Sequence, residues 1–293
     1  MKYVNPTHDL ALKKVLGSNE NLHILAGFIR DFFFIDPDGL IVENPYSIKA
    51  YKELIKDNET FRLRQTVSDI AAVMNVGDYR SELQIRKDTH YDERSLYYPL
   101  NKYVSRYRVV PGEESAYARL RKIYSMNILG FNHFIEDDDA LRIFELYDPK
   151  RNKSFPKRLL NLGYFELLKQ NVETENQRQW QNYFLQKPLS EDAPGYIRDA
   201  LEIIDRSNMD EEELDMLTKT EYLQSVYDGQ IDYAKEEGRE EGREEGREEG
   251  REDERIEIAL EMLSMGLSIE QISRATKLSI EEVQRIASGV SIR

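Results

Sequence analysis

One stretch, Gln65 to Lys87 (QTVSDIAAVMNVGDYRSELQIRK), constrains this chain more than any other. It holds two runs of β character, Thr66–Met74 and Tyr79–Lys87, with Asn75-Val76-Gly77-Asp78 between them. Asn and Gly tolerate the positive φ of a tight turn, so the pattern predicts a hairpin. Asp69 lies in the first run and Glu82 in the second. Side chains alternate along a strand, so Gln84 shares a face with Glu82, and Arg86 continues that face. A hairpin brings the two carboxylates into one neighbourhood. There they repel and lose solvation, which makes a metal ion a natural stabiliser. Without one, both would be polar positions on an exposed strand face.

The 293 residues are enough for one sizeable α/β domain with appendages. A formal net charge of −14 implies solubility and argues against a general nucleic-acid coat. A local basic segment survives within that total: Arg80 to Lys122 carries ten Lys/Arg against six Asp/Glu. The absence of cysteine excludes disulfides and thiolate zinc sites. There is no apolar run of about 18 residues and no signal-peptide core, so the expectation is a cytoplasmic protein with no membrane partner.

Thr7 reads as the N-cap of a first helix, and Asn21–Phe34 as a second, apolar one. Asp9 in the first turn fits a helix-dipole role. A strand is expected around Tyr46–Tyr51. Tyr91–Tyr107 reads as a helix containing Pro99. Its tyrosines interleave with Arg94, Lys102 and Arg106, which suits either a helix bordering a DNA groove or an amphipathic helix with its charges in water. Lys122–Phe131, Leu141–Tyr147 and Leu159–Leu168 are strand-like, the last finishing the sheet. The acids Glu136 to Asp139 read as a solvated loop. The four histidines lack metal-ligand spacing, and His90 is expected on the surface.

Four regions are expected: a core over 1–170, an α-helical extension over 171–233, a charged spacer over 234–255 and a small module over 256–293. The spacer repeats Glu-Glu-Gly-Arg four times from Glu236 to Arg251. Glu236 and Arg239 are helical neighbours, but each glycine costs about 1 kcal/mol relative to alanine, so the helix is marginal. Ser268 and Ser279 cap two short helices that resemble a helix-turn-helix. Glu281 and Glu282 would face phosphates, which favours packing or homo-oligomerisation through these helices over DNA contact.

Asp69, the hairpin and Glu82-Leu83-Gln84 together resemble the PD-(D/E)XK nuclease core. With the N-terminal PTHDLALKKVLG and the GREEGREE tail, the chain resembles the recombination-promoting nucleases, also called PD-(D/E)XK family transposases. The resemblance implies an α/β restriction-endonuclease-like core, a mixed sheet flanked by helices, with an α-helical C-terminal extension. It implies Mg²⁺ held by Asp69 and Glu82, with the Leu83 carbonyl as a further ligand and Asp9 as an alternative acidic residue near the metal, and metal-dependent hydrolysis of DNA phosphodiesters in recombination or mobile-element activity. Gln84 stands where many relatives have lysine. A neutral amide orients water or phosphate by hydrogen bonds, and the lysine-like role falls either to Gln84 or to the positive charge of Arg86 on the same face. The alternative is a catalytically weak DNA-binding or regulatory protein that retains the fold.

Overall fold

The computed structural model describes residues 2–57, 70–85, 87, 89–107 and 115–288, so Asp69 and Arg86 lie outside the described residues. The chain divides into two compact units, Met1–Thr218 and Lys219–Arg293.

In the first unit, β2 (Ile70–Met74) and β3 (Gly77–Gln84) form the predicted hairpin, with Met74 opposite Gly77. The turn is shorter than expected, Asn75-Val76, and neither these residues nor Gly77 has positive φ. Asn75 and Gly77 serve other ends. The Asn75 side chain donates to Asp38 Oδ2 at 2.8 Å, and a Cβ on Gly77 would stand 2.7 Å from the Lys122 carbonyl oxygen. Gly77 is thus required by close backbone approach rather than by its dihedral freedom.

Among the described residues the main sheet runs β1 (Ile41–Val42), β2, β3, β4 (Ile123–Leu129), β8 (Leu160–Glu166), β5 (Leu141–Glu145). β3, β4 and β8 are parallel, while β1, β2 and β5 pair antiparallel, so the sheet is mixed. β8 therefore sits inside the sheet, and β5 forms the edge that β8 was expected to form. β6 (Tyr147–Asp148) and β7 (Lys153–Ser154) make a separate ribbon. The central parallel strands are buried on both faces, as helices on each side require.

One face carries α1 (Asp9–Leu16) and α2 (Leu22–Phe33), whose Phe32 and Phe33 meet Phe165, Tyr79 and Tyr124 edge-on. The segment expected as a strand at Tyr46–Tyr51 instead enters α3 (Ile48–Asp57), with Tyr51 N–H donating to the Ser47 carbonyl. A short apolar run does not by itself separate strand from helix.

The region expected as a helical extension contributes to this same core. In α5 (Glu175–Phe184), Trp180, Tyr183 and Phe184 are buried, and so are Gln177, Gln179 and Gln181. The glutamines are polar in sequence but occupied by backbone: Gln177 Nε2 donates to the Asp31 carbonyl at 2.9 Å, and Gln181 Nε2 to those of Leu167 and Lys169. Asp31, buried on α2, accepts from Trp180 Nε1 (2.9 Å), Asn176 Nδ2 (2.9 Å) and the Tyr196 hydroxyl (2.9 Å). It thereby joins α2 to α5 and to α6 (Gly195–Ile203).

α7 spans Glu211–Ser264 and includes the whole Glu-Glu-Gly-Arg repeat, whose residues 235–255 are exposed. In the second unit Ala259, Ile272, Leu278, Val283 and Ile286 form a separate small core with α8 (Ile269–Thr276) and α9 (Ile280–Ala287). Both short helices have the expected serine caps, each in a capping box. Lys277 adopts φ +61°, the left-handed conformation that helix C-termini favour for glycine.

The cap of α1 differs from expectation. Thr7 is engaged by Asn5 Oδ1, and His8 Nδ1 accepts from Leu10 N–H at 3.2 Å. Burial, helped by the nearby Arg206 charge, lowers the His8 pKa from 6.5 to about 4. Between those pH values the unfolded chain binds more protons than the folded one. His8's contribution to stability is thus fully present above pH 6.5 and is lost as pH falls toward 4. His8→Asn retains a capping oxygen and should flatten unfolding free energy against pH across that window, as urea titrations at several pH values would read. Asp31→Ala should destabilise the protein by about 3 kcal/mol in urea unfolding, because the buried Trp180 indole and the half-buried Asn176 and Tyr196 donors lose their acceptor. A chain ending at residue 235 should melt cooperatively near the parent temperature, since the small C-terminal core is separate from the main one.

Candidate active site

β3 alternates two kinds of residue. Tyr79, Ser81 and Leu83 face one way, and Tyr79 meets Phe33 of α2. Asp78, Arg80, Glu82 and Gln84 face the other. That second row is covered by α4 (Tyr91–Ser105) and its C-cap Arg106. On the helix, Arg94, Tyr98, Lys102 and Arg106 recur every fourth residue. Four helical residues advance about 6 Å and two strand residues about 6.8 Å, so the rows stay nearly in step.

The pairs follow in order along both elements. Arg94 Nη2 donates to Gln84 Oε1 at 2.7 Å, and its Nε lies 3.5 Å from Glu82 Oε1. The Arg80 guanidinium carbon stands 4.5 Å from the Tyr98 ring centroid, a cation–π contact. Arg106 Nε donates to Asp78 Oδ2 at 2.7 Å, and Arg106 Nη2 to Glu43 Oε1 at 2.9 Å. Lys102 also pairs with Glu43, and Arg121 Nη1 lies 3.7 Å from Asp78 Oδ1. These contacts correct the expectation for α4: its cations point at the sheet and are paired, while Tyr97 and Tyr107 are exposed.

The charges respond to their surroundings. Burial lowers the pKa of Arg80, opposed by the charge of Glu82. The hydrogen bond to Asp78 raises that of Arg106, against some desolvation. Asp78, at 0% exposure, would be costly to bury without its guanidinium partners.

Other predicted residues are placed as follows. Asp9 lies in the first turn of α1, where its charge adds to the burial that raises the pKa of Tyr51. His90 is exposed and is the N-cap residue of α4 without a side-chain capping bond. Asp137 pairs with Arg142, and its carbonyl accepts from Lys169 at 3.0 Å, so part of the acidic loop is fixed rather than simply solvated. His133 was not singled out by sequence. It sits among Tyr91, Phe131, Phe134 and Tyr164, and its Nε2 lies 2.7 Å from Asp92 in the first turn of α4. The neighbouring Phe131 and Phe134 are the only local hint of this cluster, and nothing in the sequence links it to Asp92.

Glu82 is the described member of the predicted metal pair. Among the described residues, no group of three or more His, Asp or Glu side chains gathers for a metal. Glu82 nevertheless fits a divalent ion: it offers hard carboxylate oxygens, and its burial demands a cationic neighbour. Among the described residues, β2 pairs with β3 only as far as Ile70 opposite Ser81. No helix among them is long and apolar enough to cross a membrane.

Residues 6–259 match a family model described as PD-(D/E)XK nuclease family transposase. Neither a curated protein nor a solved structure matches the chain.

Proposed function

The chain belongs to the PD-(D/E)XK nuclease family transposases, and from that premise we propose that it is a Mg²⁺-dependent DNA endonuclease with Asp69 and Glu82 as metal ligands. The observation that carries this assignment is the β2–β3 register. Ile70 stands opposite Ser81, Asp69 is the residue before Ile70, and Glu82 is the residue after Ser81. A hairpin in this register is the arrangement in which two carboxylates can share one ion.

When bound, the ion supplies Lewis acidity at a phosphate and a more acidic water. The protein's own groups do the rest. Glu82 is held on a buried row, so little rotamer entropy is lost on ligation. Gln84, on the same row, orients a water or phosphate oxygen by hydrogen bonding. Arg94 brings positive charge from α4, the role expected of Arg86. DNA cleavage of this kind would generate ends that recombination can use.

A second function draws on the Arg94–Glu82 ion pair, which already gives Glu82 a cation. In that case the protein binds DNA or regulates another activity and keeps only the fold. Plasmid cleavage by the full chain with Mg²⁺, against the same reaction in EDTA, separates the two. Asp69→Ala and Glu82→Ala should each lower cleavage by about two orders of magnitude or more, the scale of losing one electrostatic catalytic group, with melting largely retained. Parent-level cleavage in either variant would remove that residue from the metal site.

A further inference from the structure

We infer that Arg94 is a positioning residue that fixes the direction of the Gln84 amide, so that Gln84 acts in the site as a hydrogen-bond donor. The inference rests on the site proposed at Glu82 and Gln84. An amide has an acceptor end and a donor end, and either can point into a site. A guanidinium has donors only. With Arg94 Nη2 at 2.7 Å, the atom facing it must be Oε1, and Nε2 is the end turned away. The chemistry of arginine thus decides an orientation that the shape of the amide leaves open.

Three features make the hold firm. The guanidinium is a rigid fork, and it spans residues two apart on one strand face, with Nη2 on Gln84 and Nε toward Glu82. The Arg94 and Glu82 side chains are only 11% and 9% exposed, so solvent competes weakly. A charged donor on Oε1 also polarises the amide and strengthens its N–H groups as donors. Those groups suit an anionic phosphate oxygen or the lone pair of a water. With the amide reversed, Oε1 would face the phosphate and repel it.

Lysine at position 84 provides the discriminating variant. An ammonium has no acceptor end, so it requires no orienting partner, and Arg94 beside it becomes a source of repulsion. Loss of Arg94 should therefore matter with Gln84 and not with Lys at that position. If Arg94 served only to pack α4 on the sheet, its loss would cost the same in both backgrounds.

Two measurements on the full chain test this. Without metal or DNA, a double-mutant cycle of Arg94→Met and Gln84→Met should show coupling of about tenfold in the unfolding constant. The Gln84 side-chain NH₂ resonances, assigned by their loss in Gln84→Met, should shift in Arg94→Met. With Mg²⁺ and plasmid, Arg94→Met should lower kcat about tenfold or more and leave KM within about twofold, as expected for a group acting in the transition state. In the Gln84→Lys background the same change should cost less than about threefold. Should Arg94→Met fail to fold, Arg94→Lys keeps the charge opposite Glu82 without the fork and carries the same comparisons. Absent coupling in the metal-free cycle, or equal kcat losses in the two backgrounds, would overturn the positioning role. If the parent shows no Mg²⁺-dependent cleavage, the proposed nuclease function fails, and the metal-free cycle still decides the orientation of Gln84.

Discussion

The pairing of one helical row with one strand row is the interaction on which the site depends. β3 places the buried Asp78 and Glu82 and the half-buried Arg80 and Gln84 on one face, where isolated buried charges would each cost several kcal/mol. α4 makes this tolerable by meeting them in order, Arg94 at Gln84 and Glu82, Tyr98 at Arg80 and Arg106 at Asp78. Breaking one pair leaves an uncompensated buried charge, so the row is held as a unit. The other face of β3 is secured by ordinary apolar packing against α2, with Phe33 against Tyr79. β3 is therefore fixed from both sides, and its end carrying Glu82 and Gln84 has little freedom to drift.

Anchoring of this kind recurs elsewhere in the first unit. Asp31 gathers three donors from α5 and α6, and Glu213 accepts from Lys14 (2.5 Å) and Tyr46 (2.8 Å), tying the start of α7 to α1 and to the segment before α3. Glu166, fully buried, pairs with Lys169 at 3.0 Å. Asp31 and Glu213 are met by donors far away in sequence, and Glu166 also accepts from the backbone N–H groups of His133 and Phe134. Such groups are expensive when unpaired and add directional constraint when paired, which apolar contacts alone do not provide.

What was legible in the sequence follows from this division. The hairpin, the apolar second helix and the strand over Ile123–Leu129 were readable because their patterns are local: alternation, helical spacing and turn residues. The serine caps of the two last helices were readable for the same reason. Pairings across the chain were not. Arg94, Lys102 and Arg106 look like a solvent or DNA face until Glu43, Asp78 and Glu82 are brought against them. The run around Gln177–Gln181 looks like an exposed polar helix, because nothing local shows that the Gln177 and Gln181 amides meet buried backbone. His8 replaced Thr7 as a cap because Asn5, two residues earlier, competes for Thr7. In the candidate site, Glu82 and Gln84 were singled out from their spacing, and β3 places both on one face. Their partner Arg94 was seen as a basic residue but not as part of their row, since that requires the packing of α4 on β3.

The Arg94 guanidinium explains why a neutral residue suits position 84. Among the described residues, Arg94 lies beside Glu82, Arg106 and Arg121 beside Asp78, and Lys102 and Arg106 beside Glu43. A further ammonium at 84 would sit within hydrogen-bond distance of the Arg94 guanidinium in a region of low solvent access, where like charges repel most strongly. An amide avoids that cost and uses the same guanidinium as a fixed partner. In the proposed site the helix would then supply the positive charge that a phosphate requires, and the strand would supply direction. That division rests on α4 meeting β3 in order, with Arg94 at Glu82 and Gln84, Tyr98 at Arg80 and Arg106 at Asp78.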